Sequence, residues 1–536
     1  MVRVRPLAFS LALGALAAAT IVAGGALARS GRQDLVYGKG MANHAVVPAL
    51  LPNSKENTSV IAQNNGNANA TIAMDIFTPA GLLIPSASRV ETNVPPGGTR
   101  TFAQAINTGL APGFRGVGQL SSDQPINALL ARDIEQNGTG RKAYSLHNSY
   151  GTGANTISLP YIANALDGVY NTRFAIANTG TATACVSIAY AFAGGGGVTD
   201  SPAGQSGCTS GYAVPVGGQV AFGPQAVAAE ATLAMPGGTF NRLMAATITS
   251  TGAPVTVAVD AYLTNSSARK LGSYDGFVFN GVASTTDDLG TSVVIPLAIK
   301  LDGFYTQILM SNPNGTAANA TITYRSQGGQ TFTVNRSIPA NGTASHSVYE
   351  GDGGIPEGFV GAATIASDQP IAAVLFRAKM TFPGSFVDED LYTAVNGVPT
   401  DRASTVAKAP LIFRRAYGNN ATCDGSSVNC GYNSWVSVTV LGGGTANLTL
   451  TTVGDTTTGA PGCTNPGPFT SSKQITGSFV FYQNLNNVAD NGLGSNPSCL
   501  FGGMVITSDQ PIIAIADVTN DLAPGDNDGL YNLFGS

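Results

Sequence analysis

The sequence predicts an all-β protein, with four tandem Ig-like β-sandwich domains after an N-terminal signal peptide. A repeated phrase is the first observation, because Ser-Asp-Gln-Pro-Ile occurs at residues 122–126, 367–371 and 508–512, with a degenerate copy at 250–255. The second observation is hydrophobic alternation with a period of two and no sustained period of 3.6 after the signal. This pattern is typical of short strands and argues against helices.

Each repeat opens with a proline between apolar residues. The four prolines, Pro48, Pro160, Pro296 and Pro410, are 112, 136 and 114 residues apart, and 126 residues follow the last. This spacing is too long for a solenoid and suits a small domain. The predicted boundaries are an N-terminal segment at 29–45, then repeats with their tails at 46–151, 157–281, 293–397 and 406–536.

Residues 1–28 are predicted to be an export signal. Arg3 and Arg5 precede a long apolar, Ala-rich stretch, and Ala26-Leu27-Ala28 fits the small-x-small cleavage pattern. An uncleaved membrane anchor is the alternative, because the apolar stretch approaches the roughly 20 residues that span a bilayer. No later segment is predicted to cross a membrane. The expected location is therefore secreted, either extracellular or on the cell surface.

Charge and cysteine usage agree with export. Only 11% of the 536 residues are charged and the net charge is -5, so no basic patch is available for nucleic acid. Six cysteines suit an oxidising compartment and lack the C-x-x-C spacing of a zinc site. If bridges stay local within repeats, the expected disulfides are Cys185–Cys208, Cys423–Cys430 and Cys463–Cys499.

The first two strands of each repeat are expected to form a β-hairpin. Residues 435–440 alternate, a glycine turn follows at 442–444, and residues 448–451 alternate again. The third repeat has the same pair of strands at 305–310 and 320–324. Asn and Gly recur at the expected hairpin turns, at residues 64–66, 178–180 and 312–315, because such turns require a positive φ. The repeated phrase itself is interpreted as a turn, because Ser and Asp favour turn positions and Pro needs no hydrogen-bond donor.

Catalytic motifs are missing from the sequence, which predicts that the protein is not an enzyme. The three histidines, His44, His147 and His346, stand at unrelated places, and no metalloprotease motif, nucleophile elbow or P-loop is present. His346 is expected on a sandwich surface.

Short acidic clusters near the domain junctions leave calcium as the one cofactor to consider. Its weak candidate ligands are Asp388, Glu389, Asp390, Asp526 and Asp528. The competing interpretation is solvated linker charge, and no other cofactor is expected.

Each phrase-bearing strand is followed by a tail that ends in aromatic and Asn/Phe-Gly residues. The last repeat also carries one, with Tyr531 and Phe534, although no domain follows. The tail either closes its own domain or meets another subunit. We hypothesise that Tyr531 and Phe534 dock on the first repeat of a neighbouring molecule, near residues 37–47, which would build open fibres. Deleting residues 529–536 would then leave a folded monomer.

The chain resembles bacterial exported cell-surface proteins, of the S-layer or adhesive type, that are built from tandem Ig-like modules carrying Ser-Asp-Gln-Pro-Ile phrases. This resemblance implies a non-enzymatic extracellular structural protein that self-associates into a layer or fibre. The alternative is an adhesin or glycan-binding protein, with loops at the sandwich ends and Trp435 contacting cell-wall or surface glycans. The third hypothesis is that the protein is an exported hydrolase.

Overall fold

The structure is a computed structural model that describes most of the chain after residue 43. The described residues are 44–46, 55–111, 113–135, 142–149, 153–193, 195–205, 207–224, 232–235, 242–264, 269–279, 288–379, 392–417, 431–455, 463, 466–520, 525–526 and 528–535. Within these ranges the only helical elements are short 3-10 turns, so the all-β prediction is confirmed. Val36–Ser536 form one compact unit. None of the described helices is long and apolar enough to cross a membrane.

The strands are numbered in chain order and grouped by repeat. The first repeat contains β1 (His44–Val46), β2 (Lys55–Asn64), β3 (Ala70–Phe77), β4 (Arg89–Val94), β5 (Thr99–Ala103), β6 (Val117–Ser122), β7 (Ile126–Glu135) and β8 (Lys142–Asn148). The second contains β9 (Thr156–Asn164), β10 (Tyr170–Asn178), β11 (Ala184–Phe192), β12 (Gly197–Asp200), β13 (Tyr212–Val214), β14 (Gln219–Gly223), β15 (Thr232–Ala234), β16 (Arg242–Thr251), β17 (Val255–Thr264), β18 (Arg269–Asp275) and β19 (Phe277–Val278).

The other two repeats follow the same order. The third contains β20 (Gly290–Leu301), β21 (Phe304–Asn312), β22 (Ala318–Ser326), β23 (Thr331–Ile338), β24 (Gly342–Ser347), β25 (Phe359–Lys379), β26 (Tyr392–Asn396) and β27 (Val398–Pro399). The fourth contains β28 (Ser404–Arg414), β29 (Asn433–Val440), β30 (Thr445–Gly454), β31 (Phe469–Thr476), β32 (Ser478–Tyr482), β33 (Leu500–Thr519), β34 (Gly525–Asp526), β35 (Asp528–Asn532) and β36 (Phe534–Gly535). The 3-10 turns are Pro85–Ala87, Gln104–Ile106, Asp352–Gly354, Thr400–Arg402 and Leu441–Gly443.

The first and second repeats each divide their strands between two sheets, whereas in the third and fourth the long strands β25 and β33 each join eight strands into one sheet. In the first repeat, one sheet has the order β1-β6-β3-β4 and the other has β34-β8-β7-β2-β5. Alternate side chains of β2, β3 and β7, such as Val60, Ile72 and Leu130, point into one shared apolar core. The second repeat has the equivalent sheets β12-β11-β16-β9-β19 and β15-β14-β10-β17-β18. Strand alternation in the sequence therefore reflects burial of one face of each sheet.

The predicted hairpins are wrong, although the strands themselves lie where expected. Strand β29 pairs with β32 and β33, whereas β30 pairs with β31 and β33, so the two consecutive strands do not pair with each other. In the first repeat, the chain changes sheets after β2 at Asn64, whose side chain is fully buried. Asn64 Nδ2 donates to the carbonyls of Ala68 and Val94, and its Oδ1 accepts the Gly66 N–H. This asparagine satisfies the backbone groups of a corner between sheets.

The same buried asparagine recurs at the ends of β10 and β21. Asn178 donates to the carbonyls of Ala182 and Val214. Asn312 donates to the Thr316 carbonyl at 2.7 Å and is also fully buried. The Asn-Gly pattern that suggested hairpin turns thus marks corners that carry the chain from one sheet to the other.

The repeated phrase joins two strands of different sheets in the first repeat, β6 and β7, but it lies within the continuous strands β25 and β33 in the third and fourth, where the predicted turn is wrong. In β25, residue Ser367 pairs with Ala320 of β22, whereas Ala372 pairs with Ser311 of β21, so the strand changes its partner across the phrase. The Asp368 carboxylate accepts the backbone N–H and the side-chain amide of Asn319. Asp509 makes the same two bonds to Asn447 in the fourth repeat. These bonds attach the phrase to the neighbouring strand.

Every tail returns to its own repeat. The tail strands β8, β18, β26 and β35 pair antiparallel with β7, β17, β25 and β33, the strands that follow each phrase. The next short strand pairs with the opening strand of the same repeat, as β36 pairs with β28. The last tail therefore completes the sheets of the fourth repeat.

The repeats also contact one another in a closed cycle. The Gly217 turn of the second repeat lies against Phe77 of the first, and the Gly443 turn of the fourth lies against Arg325 of the third. The Gly97 turn of the first repeat lies against Val453 of the fourth. A groove lined by Ala191 and Asn341 separates the second repeat from the third. Apolar clusters continue across the boundaries, because Leu129 and Leu146 belong to the cluster that fills the fourth repeat.

This closure corrects the predicted docking of the C-terminal tail on another molecule. Tyr531 is 1% exposed and Phe534 is 3% exposed, and the Tyr531 hydroxyl donates to the Leu411 carbonyl at 2.5 Å. The first and last repeats meet within one chain, where Gln63 Nε2 donates to the Met504 carbonyl. The two aromatics are therefore unavailable to a neighbour, because folding back removes their apolar area from water.

We expect Tyr531→Ala to lower the free energy of unfolding by about 3–5 kcal/mol, because it leaves a cavity in a filled core. Tyr531→Phe removes only the hydroxyl bond and should lower it by about 1 kcal/mol. Urea unfolding followed by circular dichroism measures both. Tyr417→Ala, at a ring that is 38% exposed, is the control and should have a smaller effect than Tyr531→Ala. A Tyr531→Ala protein as stable as the wild type would contradict the closure of the tail.

Candidate functional site: the tail-strand ring

The four tail strands form a ring, defined as β8, β18, β26 and β35 in cyclic contact. Strand β8 contacts β18, β18 contacts β26, β26 contacts β35, and β35 contacts β8. Register identifies one equivalent position in all four tail strands. At this position the tail residue pairs with an apolar residue of the strand that follows the phrase. These residues are Asn148, Asp275, Asn396 and Asn532.

Hydrogen bonds join these four residues into a closed cycle. Asn148 Nδ2 donates to the Asn532 carbonyl at 2.8 Å, and Asn532 Nδ2 donates to the Asn396 carbonyl at 3.0 Å. Asn396 Nδ2 donates to the Asp275 carbonyl at 2.7 Å. The Asp275 carboxylate closes the cycle by accepting the Asn148 N–H at 3.1 Å. Each repeat is thereby bonded to two others through equivalent residues.

The strands that pair with the tail strands carry charged residues whose sign alternates from one repeat to the next. The strand after the phrase carries Arg132 in the first repeat and Arg377 in the third, but Asp260 in the second and Asp517 in the fourth. All four side chains are at most 4% exposed. Arg132 pairs with Asp260 at 2.6 Å, and Arg377 pairs with Asp517 at 2.5 Å. The first repeat is thus matched with the second, and the third with the fourth.

His147 completes the charge cluster between the first and second repeats. Its Nε2 lies 3.2 Å from Asp260 and its Nδ1 lies 3.1 Å from Asp275. Two carboxylates require both ring nitrogens to donate, which only the imidazolium does. Burial lowers the pKa of His147, but the two carboxylates outweigh it and raise the pKa to about 9. Near neutral pH, Arg132 and His147 balance Asp260 and Asp275.

The second cluster holds two carboxylates and one guanidinium. Arg377 donates to Asp517 and to both carboxylate oxygens of Asp528, which is fully buried. Burial raises the pKa of Asp528 well above its ordinary value, and Asp517 adds to the rise while Arg377 opposes it. One guanidinium thus faces two buried carboxylates, and this arrangement favours the protonated form of Asp528.

The calcium candidates at the C-terminus, Asp526 and Asp528, are buried, so they are not solvated linker charges. Asp526 is 2% exposed and accepts the backbone N–H groups of Leu271 and Tyr392, from two other repeats. Burial raises the pKa of Asp526 well above its ordinary value. Both carboxylates bond within the fold, Asp526 to two backbone N–H groups and Asp528 to Arg377. Asp388, Glu389 and Asp390 lie outside the described residues.

His346 is buried, contrary to the surface position expected from the sequence. Its ring is 0% exposed, with Nδ1 2.7 Å from the Tyr324 hydroxyl and Nε2 3.1 Å from Asp352. Atoms of His346, Glu350 and Asp352 lie within 4.8 Å of one another. Arg336 pairs with both carboxylates of this group, at 2.6 and 2.7 Å. The group is therefore an ion-pair network that holds the end of β24.

The remaining predicted residues are distributed over separate places. Disulfides join Cys185 to Cys208 and Cys463 to Cys499, both expected pairs, with Cα atoms 5.6 and 4.8 Å apart. Cys423 and Cys430 lie outside the described residues. Trp435 stands within β29 and packs edge-on against Tyr482 with ring centroids 5.2 Å apart. It is therefore part of a strand and not of an end loop.

The buried charged residues beside the tail-strand ring were not identified from the sequence. Arg132, Asp260, Arg377 and Asp517 each stand in an apolar strand directly after a phrase. In a chain with only 11% charged residues, such positions are a usable signal, because unpaired charges are rarely buried. The alternation of Arg and Asp between successive repeats would have indicated their partners.

Comparisons with known proteins add little to this description. No protein-family model matches the chain, and no curated protein matches it. One solved structure, the crystal structure of a tetra-tandem repeat in the extending region of a large adhesion protein, is 10% identical and covers 89% of this chain and 95% of its own. The TM-score of 0.09 is too low to carry an argument about fold or function.

We expect the free energy of unfolding to fall by about 3 kcal/mol as the pH rises from 6 to 10, because the folded chain holds the His147 proton up to a pKa of about 9. The contribution is complete below pH 6.5, where the unfolded histidine is also protonated. His147→Gln should lower stability at pH 6 and remove this pH dependence. Urea unfolding at intervals of one pH unit measures both effects. His346→Gln should keep the slope, because burial already lowers the pKa of His346. An unchanged slope in His147→Gln would refute the assignment.

Arg377→Met should lower the free energy of unfolding by about 3–5 kcal/mol, because it leaves the buried Asp517 without its ion-pair partner. Arg336→Met is the matched control, since Arg336 also pairs with two carboxylates, but these are 41% and 45% exposed. That loss should be at most about 1 kcal/mol. Chemical denaturation compares the two variants, and equal losses would show that burial of the Arg377 cluster is unimportant.

Proposed function

We propose that this protein is a non-enzymatic extracellular structural protein that forms part of a bacterial cell-surface layer or fibre. Its building block comprises four Ig-like β-sandwich repeats. The observation that carries the proposal is the tail-strand ring, where Asn148, Asp275, Asn396 and Asn532 bond all four repeats together. The buried charges are used to join repeats, as expected of a rigid building block.

The proposed layer grows through lateral contacts, because the first and fourth repeats already contact each other within the chain. An apolar surface of the first repeat supplies the contact that we favour. Leu82, Leu83, Val90 and Ile106 are 67%, 47%, 54% and 50% exposed. Four large exposed apolar side chains within 25 residues of sequence favour burial against a neighbouring molecule.

Two disulfides and a predicted export signal support an extracellular location for this building block. Cys185–Cys208 and Cys463–Cys499 require an oxidising compartment in ordinary bacterial cells. The mainly uncharged exterior also suits a protein that lies against its own copies. In β30 and β31, for example, Asn447, Thr449 and Ser472 face solvent.

We expect the purified protein to form layers or fibres visible by electron microscopy, and antibodies to locate it on intact cells. Leu82→Glu combined with Ile106→Glu should abolish assembly without unfolding, because it places charge on the proposed contact. Val488→Glu, at another exposed apolar residue, is the matched control and should assemble. A wild-type protein that stays monomeric in the medium at all concentrations, or that turns over a polysaccharide or peptide, would refute the proposal.

A further inference from the structure

One of the four contacts between repeats differs from the others at an equivalent position. Register identifies this position, because the first Ser of each phrase pairs with Ile72, Val186, Ala320 or Leu448. Five residues later stand Phe77, Ala191, Arg325 and Val453. Three of these four positions carry a large side chain, and the second repeat carries alanine.

The large side chains fill their contacts with the next repeat. A Cβ placed on Gly217 would lie 3.3 Å from Phe77, and one on Gly97 would lie 3.8 Å from Val453. Both glycines have a positive φ, 66° and 72°. In the third repeat the corresponding turn residue is Asn341, with a φ of 51°, which asparagine tolerates. Asn341 therefore faces Ala191 where the other turns present glycine to a larger side chain.

An open groove of about 430 Å³ remains at this contact. The volume lies within the range of about 300–1,000 Å³ that is usual for small-ligand sites. Its floor is formed by small side chains of β11 and β16, among them Ala189, Ala191 and Ala245. Hydroxyl and amide groups on its walls include Thr199, Thr247 and Asn341. The filled contacts elsewhere show that the fold does not require this opening.

The side chains that line the groove indicate which class of ligand it can bind. None of the described residues that line the groove is Asp, Glu, Lys, Arg or His, so nothing there compensates the charge of a phosphate, a metal ion or an acidic sugar. Hydroxyl and amide groups both donate and accept, which suits a ligand with many hydroxyls. The alanine methyl groups and Pro313 offer apolar area to its C–H faces. We propose that this groove binds a neutral sugar unit of a glycan.

Isothermal titration calorimetry on the full chain tests the site with four neutral trisaccharides, built from glucose, mannose, galactose or N-acetylglucosamine, and with trigalacturonic acid as the charged probe. At least one neutral trisaccharide should bind, and at least about tenfold more tightly than trigalacturonic acid, which is a difference of about 1.4 kcal/mol. The proposal fails if none of the four neutral probes binds, or if the charged probe binds as tightly as the best of them.

Ala191→Phe places in the groove the residue that fills the equivalent contact at Phe77, and should weaken binding at least tenfold. Thr449→Phe adds the same bulk to an exposed face of the fourth repeat and should bind like the wild type. Thr247→Val keeps the side-chain volume and should weaken binding several-fold by removing one hydroxyl. Unchanged binding in folded Ala191→Phe would overturn the site. Surface assembly is measured separately, so sugar binding can fail while the proposed structural function stands, and the reverse.

Discussion

The mutual packing of the four tail strands is the constraint on which the rest of the structure depends. Each tail pairs with a strand of its own repeat and also contacts the tails of two other repeats. No repeat can therefore bury its tail without its neighbours. The hydrogen-bonded cycle through Asn148, Asp275, Asn396 and Asn532 ties the first repeat to the fourth. That bond is what converts a linear array of repeats into a closed unit.

Electrostatics determines which repeats are neighbours in this unit. Arg132 and Arg377 belong to the first and third repeats, and each faces an aspartate of the following repeat. Exchanging the second and third repeats would place Arg132 against Arg377 and Asp260 against Asp517, and burying like charges against each other costs several kcal/mol. The clusters also differ in composition, because His147 adds a second cation to one, whereas in the other burial and the neighbouring Asp517 raise the pKa of Asp528. The few buried charges of this chain thus match the first repeat with the second and the third with the fourth.

Closure of the ring also changes how assembly must occur. The first and last repeats meet within the chain, so the surfaces that join them are not available for head-to-tail growth and the proposed layer depends on lateral surfaces. Because the cyclic arrangement contains four equivalent contacts between repeats, a contact that differs from the other three can be recognised. Phe77, Arg325 and Val453 fill three equivalent contacts, and Ala191 leaves the fourth open. A repeated architecture therefore offers a place for a ligand with little change to the fold.

The sequence by itself determined the all-β class, many strand positions and two disulfide pairs. Residues 435–440 lie within Asn433–Val440, because alternation with a period of two is a local property of a half-buried strand. The repetition of the phrase was visible in the sequence, and Asp368 and Asp509 do make the same bonds in separate repeats, but the predicted turn is a continuous strand in both.

The pairing partners of the strands and the contacts of the buried side chains were determined only by the tertiary structure. Alternation identifies the face that a strand buries but not the strand beside it, so the buried asparagine corners at Asn64 and Asn312 were mistaken for hairpins. The Tyr531 hydroxyl bonds to Leu411, 120 residues earlier, and Arg132 bonds to Asp260, 128 residues later. Such contacts depend on closing long loops and burying several repeats at once, and no local pattern encodes that.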